Sequence, residues 1–248
     1  DMGGMKRYVK KGQTVLVKPN IGWDVSVERA GNTNPDLVKR IVEHCYNSGA
    51  KEVYVFDHTC DDWQQCYRHS GIEKAVKDAG GKIVSGGSKK YYKDVSISRA
   101  KTLKSAEVHE LLIDSDVFIN VPILKSHGSA KLTIAMKNLM GVVWDRRYWH
   151  LNDLHQCIAD FCFYRKPDLN VVDAYRVMMR NGPRGVSEDD VLFKKFQVLS
   201  TDIVAADAAS AKIFGAEPKD IGHIRIGDEM GLGTMDLEKL SIKRIKMS

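Results

Sequence analysis

Short apolar runs alternate along the whole chain with longer stretches in which apolar residues recur every three or four positions. TVLVK at 14–18 reads as a buried strand, and NPDLVKRIVEHCYNSG at 34–49 as a helix capped by Asn34, opened by Pro35 and stopped by Gly49. Leu37, Val38, Ile41, Val42 and Cys45 share one face of that helix. EVYVF at 52–56 predicts a second strand. Ser70 caps a helix that ends at Gly80 and Gly81, and KIVSG at 82–86 begins another extended piece. DVSIS at 94–98 has the alternation of a hairpin arm or an edge. SAEVHELLIDS at 105–115 reads as a short amphipathic helix and DVFINVP at 116–122 as a buried strand.

LKSHGSAKLTIAMKNLMG follows at 124–141. Its spacing predicts a helix from His127 or Gly128, with His127, Lys131 and Asn138 on one face and Leu132, Met136, Leu139 and Val143 on the other. On that helix Lys137 projects away from the polar face. The pattern continues with a helix at 150–164, placing Leu151, Leu154, Ile158, Phe161 and Cys162 inward, and with strands at 168–174 and 196–200. A helix capped by Asp202 stops at Gly215, and SIKRIKM at 241–247 closes the chain as an edge strand.

Strands alternating with helices of ~10–15 residues predict an α/β fold, a mostly parallel sheet with helices on both faces and room for an antiparallel edge or hairpin. No Pro, Gly or Ser tract reads as a linker, so residues 1–248 are expected to form a single α/β domain. The chain opens on DMGGMKRYVKK, without an initiator Met or a targeting segment, as if an upstream segment had been removed.

Charge narrows the function classes. Lys and Arg number 38 against 32 Asp and Glu, a net charge of +6 that suits a small anionic molecule. No basic stripe interleaved with aromatics is present, so nucleic acid is not an expected partner. No run of ~18 apolar residues predicts a membrane span. The cysteines at 45, 60, 66, 157 and 162 match neither a disulfide framework nor a CxxC metal spacing, and Cys60 and Cys66 read more readily as spare thiols than as a disulfide pair or metal ligands. P-loop, strand-linked GxGxxG and GxSxG motifs are absent.

In open parallel sheets ligands sit beyond the carboxyl ends of the strands. The predicted strand exits carry Lys18, Pro19 and Asn20; Asp57, His58 and Thr59; Lys125, Ser126 and His127; Asp173 with Arg176 beyond it; and Ser200, Thr201 and Asp202. Lys125 and His127 at a helix N-terminus would favour a carboxylate or phosphate. Lys18, Asn20, Lys125 and Lys131 are expected to supply charge and donors, with Asn138, Asp173 and Arg176 completing the lining. His127, Lys125 and Asp57 are the candidate catalytic residues, because an imidazole near neutrality suits proton transfer. His58 and His127 are the candidate ligands of a divalent metal, with Asp57 or Asp173 as hard partners. His150 and His155 lie five apart and share a metal only if His150 precedes the helix. The loop RNGPRG at 180–185 reads either as a closure over an anion or as an exposed basic connector. A non-catalytic anion-binding protein, or an accessory to a redox partner, is the alternative to an enzyme.

VLVKPNIGWD, NTNPDLVKRIVEHCYNSGAKEVYVFDHT, FINVPILKSHGSAKLTIAMKNLMGVV and PDLNVVDAYRVMMRNGPRG together resemble the family called domain of unknown function 362, over roughly residues 14–235. Many members carry paired four-iron four-sulfur motifs downstream, which implies a redox protein as partner; lacking clustered CxxCxxC, this chain is expected to hold no iron-sulfur cluster of its own. Other members resemble exported proteins with a twin-arginine signal, which implies export as an expectation, with the cytoplasm as the alternative. More distantly the family is similar to the nickel-pincer lactate racemases, which bind a phosphorylated nickel cofactor through lysine and histidine. No residue of that motif is matched here, so the resemblance assigns no catalytic role.

Overall fold

The computed structural model describes residues 2–246. Along the chain come β1 (Thr14–Pro19), α1 (Pro35–Asn47), β2 (Glu52–Val55), α2 (Trp63–His69), α3 (Ile72–Asp78), β3 (Lys82–Ile83), β4 (Tyr92–Ser96) and β5 (Ser105–His109). They are followed by α4 (Glu110–Asp114), β6 (Val117–Val121), β7 (Ile123–His127), β8 (Lys131–Thr133), α5 (Ala135–Asn138), α6 (Arg147–Leu151), α7 (Leu154–Phe161), β9 (Leu169–Met178), β10 (Val191–Ser200), α8 (Ile203–Phe214) and α9 (Gly222–Glu229).

The main sheet runs β3-β2-β1-β6-β9-β7-β8, with β10 also paired to β9. Pairings from β3 through β9 to β7 are parallel, whereas β8 and β10 add antiparallel arms. The expected α/β architecture is therefore present, with β4 and β5 as a separate antiparallel pair. Alternation along the strands sends Val15, Val17, Val53, Val55 and Ile119 into one core with α1, α2 and α3. Leu16, Phe118, Val172 and Ala174 face the other core, with α5, α7, α8 and α9.

Several expected elements differ. Residues 105–109 are a strand, because Val108 and His109 turn inward against β4, and only 110–114 are helical, with His109 Nδ1 accepting from Leu111 N. The expected helix from 127 is a hairpin: Gly128 and Ser129 turn the chain, His127 opposes Lys131, and Lys131 has φ 62°, outside the helical range. A short helix then holds 135–138, and residues 139–142 tighten into a 3-10 turn. The expected helix at 150–164 is broken at Asp153, which has φ 45° and caps α7 by accepting from Gln156 N, so His150 and His155 lie on different helices and Leu151 points outward. Residues 241–246 form no strand; Met247 of that expected edge lies outside the described residues. No helix among the described residues is long and apolar enough to cross a membrane.

Candidate functional site

Beyond the carboxyl ends of β1 and β2 lies a cleft of about 70 Å³. At roughly 30 Å³ per water, that is room for a carboxylate or phosphoryl group. Period two explains two pairs of its walls: Lys18 and Asn20 leave β1 on one face, and Lys125 and His127 leave β7 on one face. Asp57, His58 and Cys60 come from the loop after β2, Lys137 and Asn138 from α5, Gly141 from the 3-10 turn, and Arg146 and Pro183 from later loops.

The three lysines are all buried and differ in their partners. Lys18 Nζ lies 2.8 Å from Asp57 Oδ1 and donates to Pro19 O (2.7 Å) and Asn138 Oδ1 (3.1 Å), so its charge is paired and two of its protons are donated. Burial still pulls Lys18 below its ordinary pKa, against the opposing effect of Asp57. Lys125 Nζ donates to Asn20 Oδ1 (3.1 Å) and Gly31 O (2.6 Å) and meets no carboxylate among the described residues. Burial brings it down to about 7, with Lys137 and Lys18 adding repulsion. Among the described residues Lys137 Nζ finds only the weak acceptor Met140 Sδ at 3.0 Å, and burial brings it to about 8. Arg146 spends its guanidinium on the carbonyls of His58 and Thr59, each at 2.8 Å. Among the described lining residues one carboxylate thus faces four basic side chains, an arrangement that suits an anion.

The two cleft histidines are in opposite tautomers. His127 Nδ1 accepts from the backbone N–H of Ser129 and of Ala130, both at 3.2 Å, so the neutral ring carries its proton on Nε2. Burial, with Lys137 and Lys125 nearby, lowers His127 to about 3. It is therefore a neutral donor. His58 Nδ1 lies 2.9 Å from Val143 O, which can only accept, so Nδ1 holds the proton and Nε2 keeps its lone pair. Its ring stacks on Trp144, and burial, then Arg146, lowers its pKa.

A buried polar row anchors the cleft. Asn138 Nδ2 donates to Asn120 Oδ1 (2.8 Å), Asn120 Nδ2 to Asn170 Oδ1 (3.0 Å), and Asn170 Nδ2 to Ser200 O (3.2 Å). Asp207 accepts from Ala135 N and Met136 N, fixing the start of α5 and hence Lys137 and Asn138. Burial raises Asp207 to about 8.

Lys18, Asn20, Asp57, His58, Lys125, His127 and Asn138 are brought together. Lys131, Asp173 and Arg176 are not among the lining residues. Lys131 is exposed and donates to Asp220 O at 2.8 Å. β9 runs past its expected end, so Asp173 and Arg176 lie within the strand. Asp173 accepts from Asn34 N (2.9 Å) and Tyr175 N (3.1 Å), tying β9 to the start of α1, and burial raises its pKa. Arg176 lies over the Phe193 ring. Lys137, Gly141, Arg146 and Cys60 line the cleft without having been singled out for it by the sequence pattern, whereas Pro183 comes from the 180–185 loop read as a closure over an anion or an exposed basic connector. Pro183 reaches the cleft because Gly182 docks on Ser126, donating to its Oγ at 3.1 Å.

The family described as domain of unknown function, DUF362, matches residues 15–212. The chain belongs to that family. Within this DUF362 chain the matched span holds every cleft residue named above. A thylakoid-associated protein of Synechocystis sp. is 25% identical over 240 residues, covering 93% of this chain and 72% of that protein. The lactate racemase apoprotein from Thermoanaerobacterium thermosaccharolyticum shares the fold with a TM-score of 0.53 at 10% identity over 82% of this chain. The match spans about half of that structure, 49% of its length.

Exchanging Asp57 for Asn tests the ion pair. The amide still offers an oxygen acceptor but leaves the Lys18 ammonium without an acid, so unfolding free energy is expected to fall by about 2–3 kcal/mol at pH 7. The loss should shrink at alkaline pH, where Lys18 can shed its proton. Urea denaturation at both pH values measures it; equal losses would contradict the pairing.

Proposed function

We propose that the cleft binds a small dianion, the carboxylate or phosphoryl group of a substrate or cofactor, on the Lys125 and Lys137 ammonium groups. His127 Nε2–H adds a donor, and His58 Nε2 is the proton acceptor that makes an enzyme of the site. The observation that carries this reading is that Lys125 and Lys137 are buried without an acid partner among the described residues. A buried ammonium is costly unless a counter-charge arrives, and the free Nε2 of His58 supplies a base within the same walls.

The shared fold raises the matter of a phosphorylated nickel cofactor. Its phosphate suits the lysines. Protein ligands to nickel are a different case: no group of three or more His, Cys, Asp or Glu able to hold a metal ion is present among the described residues. His127 presents a proton rather than a lone pair, leaving His58 as the one imidazole donor in the cleft with a free nitrogen. A divalent metal held by His58 and His127 together does not fit this donor set.

Native mass spectrometry of the untagged protein tests the reading. An anionic adduct is expected in the wild type and its loss in Lys137→Met, while His58→Gln retains the adduct. No adduct in any form, together with no rise in melting temperature on adding phosphate, would contradict it.

A further inference from the structure

Among the described residues Cys60 is the one exposed cysteine; Cys45, Cys66, Cys157 and Cys162 are all buried. Its loop is pinned. Cys60 N donates to Gly22 O at 2.8 Å, and Arg146 donates to the carbonyls of the two residues before it, His58 and Thr59. Arg146 Nη1 also lies 3.7 Å from Cys60 Sγ. The thiol is thus held at the mouth of a cleft whose lining includes Lys18, Lys125, Lys137 and Arg146.

Lys137 supplies the second half of a site. It lines the same cleft, is only 9% exposed, and its ammonium finds no acceptor among the described residues beyond Met140 Sδ. Burial dominates the lowering of Lys125 and Lys137, and of the charges that oppose it a Cys60 thiolate acts most strongly on both, which puts Sγ within electrostatic reach of both ammonium groups. A reagent arriving at Cys60 therefore meets a buried cation in need of a counter-charge.

We infer that Cys60 is a site of S-thiolation, forming a mixed disulfide with a small disulfide that carries carboxylates, one of which settles on Lys137 Nζ and closes the cleft to other anions. This regulation rests on the anion site proposed above. In the exchange Cys60 gives its thiol proton to solvent, and its thiolate attacks one sulfur of the reagent. The S–S bond of the reagent breaks as the bond to Cys60 Sγ forms, and the departing half leaves as a thiolate that takes up a proton. Cys60 is oxidised and the reagent reduced, so the disulfide is itself the oxidant. At about 70 Å³ the cleft takes one carboxylate and leaves the rest of the adduct at the exposed rim.

The probes are 3,3′-dithiodipropionate, a dianion, and cystamine, a dication, at pH 7, below the value of about 8 for Lys137. Intact mass spectrometry follows the adduct, and each rate is divided by that of a neutral cysteine peptide, which cancels the leaving-group strengths of the reagents. One adduct is expected, absent in Cys60→Ser, with the relative rate of the dianion about tenfold or more above that of the dication. Lys137→Met should lower that preference about threefold or more. Should this variant fail to fold, sulfate in place of chloride at equal ionic strength should slow the dianion alone in the wild type. Calorimetry with sulfate keeps the two readings apart: the reduced wild type binds it, the adduct does not, and dithiothreitol restores binding. An adduct on a buried cysteine, equal relative rates for the two reagents, or an adduct that still binds sulfate would overturn the inference. No sulfate binding by the reduced protein would instead overturn the anion site on which it rests.

Discussion

Replacing Gly141 with alanine is expected to lower the free energy of unfolding by about 3–5 kcal/mol, the cost of opening a buried ion pair. A methyl group there would sit 1.8 Å from Asp57 Oδ1 and 2.6 Å from Lys18 Nζ. Neither group has room to retreat: Asp57 Oδ2 accepts from Ile21 N at 2.6 Å, and Lys18 is committed to Pro19 O and Asn138 Oδ1. Gly141 O also accepts from His58 N at 2.9 Å, so displacing the turn drags the loop that carries His58. For a chain of this size the melting temperature should drop on the order of 10 °C. Gly128→Ala is the control, since an added methyl there meets nothing within 4 Å and should change stability by less than about 0.5 kcal/mol. Calorimetric melts of the two variants decide the point; similar melting temperatures would contradict the proposed crowding at Gly141.

Lys125→Met is expected to separate stability from binding. It removes an ammonium that is 1% exposed and has no acid partner among the described residues, at nearly constant volume. Affinity for a dianion should fall about a hundredfold or more, as when one member of a buried charge pair is removed. Stability of the free protein should not fall at neutral pH. The sign follows from Lys125 titrating at about 7 in the fold against ~10.4 in the unfolded chain. Above pH ~10.4 both states are neutral and burial costs nothing; as pH drops toward about 7 the unfolded chain takes up its proton first, and stability is lost. Below about 7 the penalty is complete. The wild type should therefore gain stability as pH rises from about 7 toward ~10, and Lys125→Met should flatten that rise. The methionine leaves Asn20 Oδ1 and Gly31 O without the lysine donor, at about 1–3 kcal/mol each. That loss offsets much of the gain at neutral pH.

The alternation of strands and helices made the architecture legible, as did caps such as Asn34 and Asp202, whose side chains accept from backbone amides as their residue types suggest. The segment 124–141 was legible in its chemistry but not its geometry. A helical period was extended across Gly128 and Ser129, where the chain reverses, and this put His127 and Lys131 on a helix face rather than opposite each other in a hairpin and turned Lys137 away. In the strand that forms instead, the same lysine and histidine at 125 and 127 share a face by period two. Lys137 enters the cleft because α5 is a single turn fixed by Asp207, a contact 72 residues away in sequence that local pattern does not reveal. Gly141 carries no local signal either: its requirement is the close approach of Lys18 and Asp57, two strands away. Asp173 was misplaced because the apolar run of its strand continues past it through Val177 and Met178.

The central claim is that Lys125 and Lys137, which have no acid partner among the described residues, hold an anion, and calorimetric titration of sulfate at pH 6 and pH 9.5 tests it most directly. Sulfate keeps its charge over that range, so any change in affinity belongs to the protein. Lys125 and Lys137 lose their protons near 7 and 8 in the free protein. Binding should therefore be measurable at pH 6, proceed with proton uptake near pH 8, and weaken about tenfold or more by pH 9.5. Equal affinity at the two pH values, or no heat of binding at pH 6, would contradict the account.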